Sequence, residues 1–175
     1  MIQYIAILRG INVGGKRKIL MKDLKALFVE LGFANAQTYI QSGNVVFESE
    51  EGQHSIIEGM IGDGIIRQYG FEVPVIVRTA HEWKQLVEDN PYDGVDIRQL
   101  HVTVFKALPM SDRVSQLNAF RADPDEFSLA ERHAYIRCFG KYHETKLGNN
   151  LFEKKLQVSC TTRTWKTILA ILKLL

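Results

Sequence analysis

Hydrophobic and polar positions change period along the chain, and each change marks an element. Residues 3–9, QYIAILR, form a short apolar run that stops at Gly10, the pattern of a buried strand. Apolar residues at 20, 24, 27, 28 and 31 then make a helical stripe, which Gly32 ends. TYIQ and NVVFES flank Ser42-Gly43 and predict a hairpin. Helical spacing returns over 54–69 at Ile56, Ile57, Met60, Ile61, Ile65 and Ile66, despite glycines at 59, 62 and 64. Phe71–Val77, with Pro74 inside it, suits an edge strand. The resulting order, β-α-β-β-α-β, is that of the split βαβ, ferredoxin-like unit.

The second half follows the same order more loosely. The pattern predicts a helix at 80–89, a strand at 99–106, a helix at 111–121, and strands at 126–131 and 133–138. Helices near 144–155 and 163–174 close the chain, the last with Thr162 as its N-cap and Trp165, Ile168, Leu169 and Leu172 as its core stripe. The fold class expected is α+β: a ferredoxin-like lobe over 1–79 and a β-α-β-β-α variant with an extra C-terminal helix over 80–175, together one compact structural unit.

Composition narrows the class. The 175 residues are 46% hydrophobic and 24% charged, ordinary values for a globular chain with a real core. No apolar run approaches the roughly 18 residues of a membrane helix, and the opening MIQYIAILRG reads as a strand rather than a signal peptide. Cys138 and Cys160 form neither a disulfide framework nor a zinc spacing, so the expectation is a cytoplasmic protein with free thiols. The five histidines lack metal-ligand spacing, and neither a metal nor a cofactor is expected. Charge is segregated along the chain: residues 1–30 carry six Lys/Arg against two Asp/Glu, residues 141–175 seven against two, and the middle is acidic. A basic surface results if the ends meet; otherwise both ends are simply solvated.

Candidate chemistry concentrates in RGINVGGKRK, residues 9–18. The spacing from Gly10 to Lys16 resembles G-x-x-x-x-G-K-[ST], but Arg17 occupies the position where a magnesium-binding hydroxyl belongs, which excludes the NTPase loop. What remains is a possible anion site. Gly10, Gly14 and Gly15 permit close backbone approach, Arg9 offers a bidentate clamp, Lys16 a point charge, and Asn12 a donor and an acceptor. The alternative is a tight corner with solvated lysines. In a β-α-β-β-α-β unit the first two strands run parallel with the third between them, so the hairpin residues Ser42, Gly43 and Asn44 share this sheet edge. Arg163, beside the predicted N-cap of the last helix, is a further candidate. No catalytic residue is identified.

The stretch YIAILRGINVGGKRKILMKDLKALFVELGF followed by TYIQSGNVVF resembles the opening of an uncharacterised bacterial family, domain of unknown function 1697. VPVIVRTA, NPYD and TTRTWKTI resemble its later signatures. The resemblance implies an α+β fold of two related lobes and no established activity. The family's closing motif typically reads T-T-R-N-W-N-T; Thr164 and Lys166 here replace its two asparagines. The functional expectation is binding of a phosphate-bearing ligand, a small molecule or nucleic acid, with no membrane partner. An enzyme acting on a small phosphorylated or carboxylated substrate and a regulatory or assembly module are the alternatives. Oligomeric state is left open.

Overall fold

The computed structural model describes residues 1–175. The chain divides into two units, Met1–Leu86 with Ile171–Leu175, and Val87–Ala170. The first contains β1 (Ile2–Leu8), α1 (Met21–Glu30), β2 (Ala34–Tyr39), β3 (Asn44–Ser49), α2 (His54–Tyr69) and β4 (Val75–Thr79), followed by α3 (Ala80–Glu88). Its sheet order is β2-β3-β1-β4 with every neighbouring pair antiparallel, so β1 and β2 are parallel with β3 between them. That arrangement is the ferredoxin-like one expected from the hydrophobic pattern.

Tyr4, Ala6 and Leu8 project from one face of β1 into a core shared with Leu24, Leu27 and Phe28 of α1 and Ile57, Ile61 and Ile65 of α2. The isoleucines of α2 recur every four residues and make one continuous apolar face. Gly64 belongs to that face: an added Cβ would stand 3.1 Å from Leu27 Cδ1, so the glycine permits close packing of α1 against α2. Phe28, Phe33 and Phe47 interlock with ring centroids 4.8–5.6 Å apart, within the range where aromatic pairs add about 0.5–1.5 kcal/mol each beyond area burial. Pro74 precedes β4 instead of lying inside it, because a strand paired to β1 needs its N–H groups. As expected, the strand is an edge strand.

The second unit holds β5 (Leu100–Phe105), α4 (Ser111–Asn118), β6 (Glu126–Leu129), β7 (His133–Arg137), α5 (Asn149–Leu156) and β8 (Cys160–Thr164), from which α6 (Trp165–Leu172) continues. Its order, β6-β7-β5-β8, repeats the first sheet strand for strand. The structure adds a strand to the expected β-α-β-β-α pattern: CTTRT is β8, not the approach to a helix. Thr103 and Thr162 support this pairing: buried Thr103 and half-buried Thr162 stand opposite each other across the β5–β8 pair, with their hydroxyls bonded at 2.7 Å. The cap of α6 moves accordingly from Thr162 to Thr164, whose Oγ1 accepts from Thr167 N at 3.2 Å. The helix expected from 144 begins at Asn149, after a short 3-10 turn at Tyr142–Glu144. No helix is long and apolar enough to cross a membrane.

The two units repeat each other at the level of single hydrogen bonds. Leu8 N donates to Gly43 O at 2.8 Å, and Phe105 N to Arg132 O at 2.9 Å. Arg9 N donates to Pro74 O at 3.0 Å, and Lys106 N to Ser159 O at 2.8 Å. Both fourth strands end in Arg-Thr, and each threonine hydroxyl accepts from a backbone N–H three residues on. Arg78 and Arg163 are both buried, in register with Ile5 and Val102, and each Nη1 donates to the carbonyl of the preceding residue.

Candidate functional site: the glycine-rich corner of the first unit

Between β1 and α1 the chain folds into a miniature hairpin. Val13 and Lys16 form an antiparallel bridge, Lys16 N donates to Val13 O at 3.1 Å, and Gly14-Gly15 is the two-residue turn between them. Both glycines have positive φ, +58° and +73°, as a type I′ turn requires. Asn12 N donates to Arg17 O at 3.1 Å and extends the ladder by one rung. Gly10, Asn12 and Arg17 also lie in the left-handed region, at +70°, +56° and +48°. The Arg17 guanidinium passes over Gly10, where a Cβ would come within 3.4 Å of Nη1.

Asn12 fastens this hairpin to its surroundings. Its Nδ2 donates to Ile19 O and to Gln41 O, both at 2.9 Å, and its Oδ1 accepts from Ile19 N at 2.9 Å. The amide singled out for ligand discrimination is thus largely committed to backbone. Asn44 behaves in the same way: it is buried, and its Nδ2 donates to Tyr39 O and Ser42 Oγ, both at 3.0 Å, closing the β2–β3 turn. Gly43, at φ +81°, lies against Leu8 and Ile11; a Cβ there would stand 2.8 Å from Leu8 Cβ and from Ile11 Cδ1. The two loops meet at one sheet edge, as the topology predicted.

A hollow of about 350 Å³ opens at this edge, lined by Asn12, Gly15, Lys18, Ile19, Leu20, Met21 and Gln41. Met21 is the first residue of α1, and no side chain caps that helix. Lys16, Arg17 and Lys18 are exposed and Arg9 is half-buried. Gln41, Lys18 and the Ile19-Leu20-Met21 ledge carry the wall, yet the sequence points first to the glycines and asparagines. Its one clue to the ledge is a cation placed directly before the first apolar residues of the α1 stripe.

Arg163 belongs to the second unit, on β8. Its Nη1 donates to Thr161 Oγ1 at 2.9 Å and Thr162 O at 3.0 Å, and burial lowers its pKa to about 10. His101 of β5 stacks on Tyr142 with ring centroids 4.4 Å apart, and burial lowers its pKa. Cys138 is buried, with its thiol pushed up to about 11 chiefly by desolvation, a poor nucleophile. No three His, Cys, Asp or Glu side chains come together as a metal-binding group.

The chain is similar over nearly its full length to the conserved bacterial protein SP0830 from Streptococcus pneumoniae, whose solved structure superposes with a TM-score of 0.81 at 20% identity, covering 98% of this chain and 97% of that one. That likeness establishes the fold. Among curated proteins none matches. The family model described as "Protein of unknown function (DUF1697)" matches residues 1–135, through both loops of the candidate site and most of the second sheet. The chain belongs to the DUF1697 family.

Proposed function

We propose that the first unit binds a phosphate-bearing ligand, a nucleotide or a nucleic acid, at the edge formed by RGINVGGKRK and QSGN. The observation that carries this reading is internal to the molecule. The second unit turns the equivalent strand-to-helix corner with residues 106–110, which contain no glycine. The first uses residues 9–20, with a hairpin inside them. A corner of this topology therefore needs neither the glycines nor the length, and the extra residues call for another reason.

Their conformation supports the same reading. Arg17 is held left-handed, at a cost of about 1–2 kcal/mol, and such strain persists where function requires it. Three consecutive exposed cations follow the turn, the Gly15 backbone lines the hollow, and the uncapped start of α1 adds a favourable potential for an anion. The wall contains one titratable side chain, Lys18, which fits binding better than proton-transfer catalysis.

Titration with inorganic phosphate and nucleotides at low salt tests the proposal. A Lys16→Ala, Lys18→Ala double variant should weaken binding by about tenfold or more, the scale of one or two charge-assisted contacts. Unchanged affinity in that variant overturns the site.

A further inference from the structure

The hollow has walls for more than a phosphate. Resting on the phosphate-site reading above, we infer that its occupant is a free mononucleotide, with the phosphate at Lys18 and the Gly14-Gly15 hairpin and the base against the ledge of Leu20 and Met21, the two apolar wall residues that keep accessible surface. They stand beside a single cation in the wall. Leu20 is 61% exposed at the point where α1 begins, so its side chain presents apolar surface that the fold leaves uncovered. An inorganic anion gains nothing from such a ledge, whereas a planar base buries itself on it.

Polar recognition comes from Gln41. Its backbone carbonyl accepts from Asn12, and Gln41 is an exposed residue of the wall whose side-chain amide carries both a donor and an acceptor, the combination that reads the edge of a base. Asn12 cannot share this role, because its amide is committed to Ile19 and Gln41. Size agrees: about 350 Å³ is at the small end of the range for small-molecule pockets, roughly 300–1,000 Å³.

Charge separates a mononucleotide from a strand. The first unit carries ten Lys/Arg against nine Asp/Glu, so it is nearly neutral, and four of the ten lie in residues 9–18. Tracking a polynucleotide backbone takes an extended basic groove. A single phosphate is matched by a local cluster of this kind.

Isothermal titration of the full chain with AMP, GMP, CMP, UMP, ribose 5-phosphate and a short 5′-phosphorylated oligonucleotide tests the inference. At least one mononucleotide should bind about tenfold tighter than ribose 5-phosphate, the contribution of roughly 1.4 kcal/mol of base burial. Leu20→Ala, which removes the apolar side chain and leaves the start of α1 uncapped as before, should remove that advantage and leave ribose 5-phosphate binding unchanged. Gln41→Ala should reduce discrimination among the four bases. Equal affinity for ribose 5-phosphate and every mononucleotide overturns the base ledge while the phosphate site stands. Tighter binding of the oligonucleotide, with a steep salt dependence, overturns the free mononucleotide. Failure of every phosphate compound to bind overturns both readings.

Discussion

Gly43 has no room for a side chain. Its left-handed backbone costs an L-residue about 1–2 kcal/mol, and a Cβ would press on Leu8 and Ile11 at 2.8 Å, adding about 1–3 kcal/mol of overpacking. Gly43→Ala should therefore lower the unfolding free energy by about 2–5 kcal/mol, read from urea denaturation. His101 gives a pH signature instead. Burial lowers its folded pKa, partly opposed by the Gln99 backbone, so the unfolded chain binds the proton more readily. Stability is full above the unfolded value of 6.5 and is lost as pH falls through the lowered folded value. The loss in urea midpoint between about pH 7 and pH 5 should be smaller in His101→Phe, which keeps the ring stack on Tyr142. Asn12 and Asn44 show the limit of reading residues from sequence: an amide that closes a turn and one that holds a ligand have the same composition, and only the hydrogen bonds tell them apart.

At the level of elements, β1, β3 and the helices of the first unit were legible from their apolar periods. In contrast, β2 runs over Ala34–Tyr39 and meets the expected strand TYIQ only at Thr38 and Tyr39, because ANAQTY lacks an apolar alternation and Ile40-Gln41 turn the hairpin. The fourth strand of the second sheet was not legible either. Cys-Thr-Thr-Arg-Thr has no apolar alternation, and its threonine hydroxyls find partners far apart in sequence, Thr103 and Asn149 for Thr162. Edge strand β4 shows another polar group placed inside: Glu58 of α2 is buried and accepts from Val77 N at 2.9 Å. Glu58→Ala leaves that N–H in the interior without its acceptor and should cost about 1–3 kcal/mol. Amide hydrogen exchange at Val77, measured against the parent chain, should accelerate correspondingly; unchanged protection would show that the carboxylate does not hold the edge.

Over the whole molecule, the repeat was visible in element order but not in residues, since Arg-Thr at the ends of β4 and β8 is too short to detect without the sheets. The charge pattern also reads differently once folded. Basic ends and an acidic middle redistribute so that the second unit, like the first, is nearly neutral, with twelve Lys/Arg against eleven Asp/Glu. Long-range attraction for a polyanion is therefore weak, and local clusters carry the electrostatics. The corner at 106–110 shows that a short connection without glycine suffices for this topology, whereas the corner at 9–20 is longer and glycine-rich.

The fastening of that elaborated corner bears on how the chain meets proteases. Lys16, Arg17 and Lys18 are solvent-exposed cleavage points for trypsin-like enzymes, on a loop that reaches out from the fold. Yet Ile11 and Ile19, on either side of them, are buried, and Asn12 bonds to the backbone of Ile19 and Gln41. A nick at the tip would thus leave both new ends anchored, and the cut chain would stay together as a non-covalent pair.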